Sequence, residues 1–149
     1  MDVLDVNVLL YSVNESSPQH VVAEQYVTSL ATGSSPFAIP AVVFASFMRI
    51  ATNPRFGSPT ASMDDAIHTA EQLHSLPHCI AAVPGPNHWD IFVDLCRRGN
   101  ARVGLVSDAY LAAIAIELGG VLVTADRGMA RWPGLKWRDP FDNSTVGQT

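Results

Sequence analysis

Short apolar, β-branched runs alternate along the chain with longer stretches in which apolar residues recur at helical spacing. The short runs predict strands at residues 3–10, 37–40, 79–83 and 121–124, with a last short strand at Trp137. Strands that alternate with helices pack as a mostly parallel sheet with helices on its faces. The pattern therefore predicts the α/β class, with one domain over residues 1–140 and a flexible tail over residues 141–149.

Helices are predicted between these strands, and several have recognisable ends. One begins near Pro18 and stops at Gly33, a residue type that commonly ends helices. Further helical stretches are predicted at residues 42–51, 64–75, 89–96 and 107–117. The pair Gly119 and Gly120 marks the end of the last one. A loop rich in Pro, Gly and Ser is predicted at residues 53–60.

The composition is that of a folded, weakly acidic chain. Of its 149 residues, 48% are hydrophobic and 15% are charged, a balance that excludes intrinsic disorder. The net charge of −5 argues against binding of nucleic acid by bulk attraction alone, although all nine basic residues lie at or after Arg49. There is no membrane-length apolar run and no visible secretory signal, so we expect a cytoplasmic protein. Cys79 and Cys96 lie in apolar surroundings and are expected to be reduced thiols.

Three aspartates stand at the ends of predicted elements that are far apart in sequence. Asp5 interrupts the first strand, Asp108 stands at a predicted helix start, and Asp126 follows the strand at residues 121–124. In a parallel sheet such groups gather outside the carboxyl ends of the strands. Carboxylates brought together there repel each other unless a cation holds them, and hard divalent ions such as Mg²⁺ or Mn²⁺ prefer oxygen ligands. The pattern therefore predicts a metal site made of these three aspartates.

Each aspartate also has a purely structural interpretation. A turn or capping role accounts for Asp5 and Asp126, and the helix dipole alone favours an acid at the position of Asp108. The combination of the three is more specific than any one of them. Glu117 falls on the helix face opposite to Asp108, and the five histidines lack metal-ligand spacing. The chain contains no P-loop, nucleophile-elbow or zinc-protease motif.

Five segments carry further motifs in a fixed order, at residues 4–10, 47–55, 107–113, 122–126 and 130–135. Together they resemble the PIN domain family and, more narrowly, the VapC toxins of bacterial toxin–antitoxin pairs. The resemblance covers almost the whole chain. It implies a Mg²⁺- or Mn²⁺-dependent endoribonuclease in which Asp5, Asp108 and Asp126 are the catalytic and metal-binding acids.

The resemblance also implies partners: an RNA substrate of the tRNA or rRNA kind, a VapB-type antitoxin that holds the enzyme inactive, and a second copy in a homodimer. No membrane is involved. The antitoxin would lie in an apolar groove, for which the predicted helical stretches at residues 21–30 and 42–51 are candidate walls. The alternative is that these two stretches belong only to the core.

Four further residues are candidates for supporting roles. We expect Asn7, Ser46 and Thr124 to lie behind the acids, where Asn7 and Thr124 would orient their carboxylates. Arg49 lies one helical turn beyond Ser46 and is a candidate for RNA binding. A surface salt bridge is an equally good interpretation of Arg49.

The chain departs from the family pattern at two positions. The family often has a Glu where Ser46 stands and a second Asp where Gly128 stands. A site with only three carboxylates should hold fewer metal charges, so one ion is expected instead of two. The departures also support an alternative function, a catalytically weak or inactive PIN-like module that binds RNA or an antitoxin without cleaving.

Overall fold

A five-stranded, fully parallel sheet forms the centre of the molecule in the computed structural model, which describes residues 1–56 and 60–142. The strands are β1 (Asp2–Leu4), β2 (Phe37–Pro40), β3 (Cys79–Ala82), β4 (Val121–Val123) and β5 (Lys136–Arg138). The predicted α/β class and parallel sheet are confirmed.

Helices connect the strands in the order that parallel pairing requires. They are α1 (Val6–Val13), α2 (His20–Thr32), α3 (Ala41–Ala51), α4 (Met63–His74), α5 (His88–Arg98) and α6 (Gly104–Glu117), followed by a 3₁₀ helix (Arg127–Arg131). None of the helices in the described ranges combines the length and apolarity that crossing a bilayer requires.

The strand order places a natural crevice beside β1. Across the sheet the order is β3-β2-β1-β4-β5, so the chain builds outward from β1 in one direction and later returns to its other side. Such a reversal leaves an opening outside the carboxyl ends of the two strands that flank it, here β1 and β4. Register pairs Leu4 with Val123, so the residues that follow these two strands emerge side by side.

The core lies on both sides of the sheet. The strand residues Val3, Leu4, Phe37 and Leu122 are fully buried, as expected for a sheet covered on both faces. The second half of helix α6 is largely buried, which is possible because small alanines are interspersed there with larger apolar residues. The site described below therefore stands on a rigid, apolar base.

Three boundaries differ from those predicted. The first strand was expected at residues 3–10 but ends at Leu4, because the Asp5 carboxylate accepts the Val6 N–H and starts a helix at once. Helix α6 begins at Gly104, which moves Asp108 from the predicted helix start into the second turn. Helix α2 begins at His20, two residues beyond the predicted Pro18.

Parts of two other predicted features, a loop and the tail, lie outside the described residues. Residues 57–59 of the predicted loop and residues 143–149 of the predicted tail belong to this part of the chain. Phe141, which the prediction assigned to the tail, packs edge-on against Tyr11 with ring centroids 5.5 Å apart. Cys79 and Cys96 are both free.

Candidate active site

Asp5 lies at the point where β1 passes into α1, beside the end of β4. Its backbone N–H donates to the Val123 carbonyl at 3.1 Å, which ties the turn to the neighbouring strand. Its side chain is only 8% exposed, and its Oδ1 accepts the Val6 N–H at 2.6 Å. A carboxylate this buried is costly unless its charge is compensated.

The other carboxylate oxygen of Asp5 is held by two neutral side chains. Thr124 Oγ1 donates to Asp5 Oδ2 at 2.7 Å, and Asn7 Nδ2 donates to the same oxygen at 2.9 Å. The Ala125 N–H donates to Asn7 Oδ1 at 3.0 Å, and the Asp126 N–H donates to Thr124 Oγ1 at 3.0 Å. The network joins the ends of β1 and β4 and fixes the orientation of the Asp5 side chain.

Asp126 stands at the start of the 3₁₀ helix, which its carboxylate caps by accepting the Gly128 N–H at 2.8 Å. Asp126 is exposed to solvent. A Cβ at position 128 would lie 2.9 Å from Asp126 Oδ1, so the capping geometry uses the space that a side chain at this position would need. The glycine is therefore matched to the observed conformation of Asp126.

Asp108 reaches the same neighbourhood from α6 and is half-buried. Desolvation raises the pKa of Asp108, the carboxylates of Asp126 and Asp5 raise it further, and the charge of Arg131 lowers it. Desolvation likewise raises the pKa of Asp5, hydrogen bonds from Thr124 and Val6 oppose that shift, and repulsion from Asp126 adds to it. The three acids therefore interact through their charges, although they come from three separate parts of the chain.

The acids do not form a ready-made metal site. Within residues 1–56 and 60–142, no three His, Cys, Asp or Glu side chains are close enough to hold a metal ion as they stand. This agrees with the charge interactions among the acids, because Coulombic repulsion acts over distances well beyond the roughly 2 Å of a Mg²⁺–oxygen bond. The structure shows three carboxylates that share one electrostatic environment without a preformed metal cage.

Comparison with known proteins identifies the family of the chain. The family model for the PIN domain matches residues 3–135. The chain belongs to the PIN domain family. Ribonuclease VapC43 of Mycobacterium tuberculosis is 34% identical to it over 142 residues, which cover 95% of this chain and 97% of the relative. Ribonuclease VapC25 of the same organism is 34% identical over 136 residues, covering 91% and 96% respectively.

Solved structures show the same PIN fold. One similar chain is in the crystal structure of VapBC2 from Rickettsia felis bound to a DNA fragment from its promoter. It aligns with a TM-score of 0.64 and 18% identity over 92% of this chain and 96% of that chain. The predicted resemblance to PIN domains of the VapC kind is confirmed.

The other predicted site residues of this PIN domain are less closely tied to the acids. Ser46 is half-buried on α3, and the hydrogen bonds that the Asp5 carboxylate accepts within the described residues come from other residues. Arg49 is exposed in the last turn of α3. Glu117 accepts hydrogen bonds from the N–H groups of Gly85 and Asn87, away from the acids as expected from its helix face.

Sequence reasoning gave no role to Arg131, whose charge acts on Asp108. It lies five residues beyond Asp126, inside a segment that carries the family resemblance. The available signal was its position at the end of the short helix that Asp126 begins, but its proximity to Asp108 depends on how that helix packs.

A second feature of the surface is an apolar cleft of about 570 Å³ between α1, α2, α3 and α4. Its lining includes Leu9, Val27, Phe44, Phe47 and Leu73. Val27 and the two phenylalanines belong to the two helical stretches that were predicted as groove walls. Both stretches therefore face a cleft as well as contributing to the core.

Proposed function

We propose that this PIN domain is a VapC-type toxin, a divalent-metal-dependent endoribonuclease that a VapB-type antitoxin neutralises. The observation that carries the proposal is the electrostatic interaction among Asp5, Asp108 and Asp126 near the crevice between β1 and β4. The charge of Asp126 acts on both other acids, and the charge of Asp5 acts on Asp108. Relatives that are 34% identical over nearly their whole length are named ribonucleases, which supports RNA as the substrate.

The chemistry of the donors fits a hard divalent cation, Mg²⁺ or Mn²⁺. The three side chains offer only oxygen, and the donors that contact Asp5 are all neutral, so its buried charge lacks a fixed counter-ion. A cation bound between the three acids would offset their mutual repulsion, so the carboxylates could approach it. Water would complete its coordination. When bound, the ion would activate a water molecule and stabilise negative charge on the phosphate.

The residues around Asp5 prepare it for this task. Thr124 and Asn7 hold one carboxylate oxygen and Val6 the other, so the side chain keeps a single orientation. Their hydrogen bonds also favour the ionised form of Asp5, against the desolvation that raises its pKa. Asn7 and Thr124 therefore serve as positioning residues in this proposal, the role expected from their places in the sequence.

The apolar cleft supports the antitoxin part of the proposal. A segment of amphipathic helix binds a groove of this kind with its apolar face. The cleft is bounded by α1, the helix that follows Asp5, and by the two stretches predicted as groove walls. The homodimer remains a prediction, and a cytoplasmic location belongs to the proposal because the RNA substrate and the antitoxin would meet the toxin there.

A non-cleaving binding module is the second candidate function. It is favoured by the lack of acids at positions 46 and 128, and by the absence of any three possible ligands grouped around a metal position among the described residues. In that case the same crevice and cleft would serve binding alone.

Cleavage assays separate the two functions. The purified protein should cleave tRNA or ribosomal RNA with Mg²⁺ or Mn²⁺, and EDTA should stop the reaction. Asp126→Asn should lower the rate by more than about 100-fold, since even the partners of metal ligands are often worth 10- to 100-fold. Cleavage that persists in EDTA and in this variant would contradict the metal mechanism, and binding of RNA without any cleavage would favour the module.

A further inference from the structure

The arginines in the last third of the chain differ in whether their guanidinium group is already paired with a carboxylate. Arg127 pairs with Asp142 at 3.1 Å, and Arg138 pairs with Asp2 at 2.6 Å. Arg131, one turn beyond Arg127, is exposed and makes no ion pair or hydrogen bond through its side chain among the described residues. Its charge is therefore available to a ligand.

Arg131 is also held in place by its neighbour. Its guanidinium carbon lies 5.9 Å from the centroid of the Trp132 ring, within the range of a cation–π contact. Trp132 is only 2% exposed, and it packs so tightly under the end of α5 that a Cβ at Gly99 would lie 2.5 Å from its ring. The aromatic surface beneath Arg131 is consequently fixed, which restricts an otherwise flexible side chain.

The position of Arg131 is at the edge of the acidic site. It ends the 3₁₀ helix that the Asp126 carboxylate caps, and its charge lowers the pKa of Asp108 against the effect of the other two carboxylates. A guanidinium that is near Asp108 but not paired with it can act on a second anion. A phosphodiester that approaches three carboxylates is repelled, so a fixed cation beside them would aid its binding.

We propose that Arg131 binds a phosphate of the RNA backbone at the edge of the acid cluster and so positions the strand for cleavage. This inference rests on the proposed ribonuclease function. It assigns to Arg131 a contact with substrate, in contrast to an effect exerted only through Asp108. Arg127, whose guanidinium is already paired, is not given this role.

The salt dependence of RNA binding tests the inference. Arg131→Gln and the control Lys136→Gln remove the same charge, but Lys136 begins β5 and so lies at the opposite, amino end of the sheet. Binding of fluorescently labelled tRNA and of a single-stranded RNA oligonucleotide would be measured by anisotropy between about 50 and 200 mM salt, once with EDTA and once with Ca²⁺. The slope of log affinity against log salt should fall by about 0.7–0.9 in Arg131→Gln only, the value for one lost phosphate contact.

Three possible results decide between the inference and its failure. Retention of the wild-type slope in Arg131→Lys, together with a raised KM and a nearly unchanged kcat in Arg131→Gln, supports a phosphate contact. An unchanged slope in Arg131→Gln while the wild type binds RNA overturns the inference and leaves the proposed function standing. A wild type that binds neither RNA in either buffer overturns the proposed function and this inference together.

Discussion

Asp2 begins the first strand and Asp5 directly follows it, yet these two aspartates have opposite electrostatic surroundings. The Asp2 carboxylate accepts hydrogen bonds from Arg138 at 2.6 Å and from the Tyr26 hydroxyl at 2.5 Å, so a fixed cation faces its charge. The Asp5 carboxylate is more deeply buried, yet it receives only neutral donors, and the charges that act on it come from other acids.

The difference separates a structural carboxylate from a functional one. The cluster of Asp2, Tyr26 and Arg138 joins β1, α2 and β5, and it is electrostatically complete without a ligand. The Asp5 site is incomplete, because its buried negative charge would be relieved only by a cation that comes from outside the chain. Uncompensated charge in a crevice indicates function more clearly than burial alone.

Exchanging each carboxylate for its amide should give the largest and clearest contrast. Asp5→Asn should lower RNA cleavage by more than about 100-fold, while its free energy of unfolding without metal stays equal or rises because repulsion among the acids is reduced. Asp2→Asn should leave the cleavage rate within a few-fold of wild type and lower the free energy of unfolding by about 1–2 kcal/mol, since it weakens charge-assisted hydrogen bonds.

Urea unfolding in EDTA and initial cleavage rates with Mn²⁺ measure the two effects on the same preparations. The comparison fails if Asp2→Asn loses activity while remaining folded, or if Asp5→Asn retains the wild-type rate.

Removal of the hydrogen bond that Thr124 donates to Asp5 should have an intermediate effect. Thr124 is fully buried, and in Thr124→Val the Asp126 N–H loses its acceptor and Asp5 loses a donor. We expect a loss of about 10- to 100-fold in activity and about 1–3 kcal/mol in the free energy of unfolding. Thr124→Ser keeps the hydroxyl and is the matched control. A wild-type rate and stability in Thr124→Val would contradict the role assigned to the hydroxyl.

The ionisation of Tyr26 in the Asp2 cluster should give the smallest effect, seen only at high pH. Burial raises the pKa of Tyr26 well above its ordinary value of 10.0, and the hydrogen bond to Asp2 raises it further. The neutral tyrosine therefore contributes stability that is complete below pH 10.0 and is lost as the pH rises through the folded-state pKa.

The difference between the ultraviolet titrations of wild type and Tyr26→Phe isolates this ionisation. A difference curve that rises near the ordinary value of 10.0 would contradict the effect assigned to Asp2. RNA cleavage at neutral pH should be the same in both proteins.

The sequence by itself determined the class of fold and the residue types of the site. The α/β alternation, the helix ends at Gly33 and just before Gly119 and the family resemblance depend on local spacing, and each agrees with the structure. Local spacing is readable because hydrophobic periodicity and end residues act within a few positions. The choice of Asp5, Asp108 and Asp126 as the catalytic acids also came from sequence, and it stays a prediction until cleavage is measured.

Only the tertiary structure decided which charge each acid meets. Thr124 reaches Asp5 across 119 positions, and Arg138 reaches Asp2 across 136, because the strand order brings β4 and β5 to the side of β1. It also decided that the strand ends at Leu4, since the Asp5 carboxylate caps the helix that follows. Asp2 and Asp5 are the same residue type on the same short segment, so their different roles depend on partners supplied by distant parts of the chain.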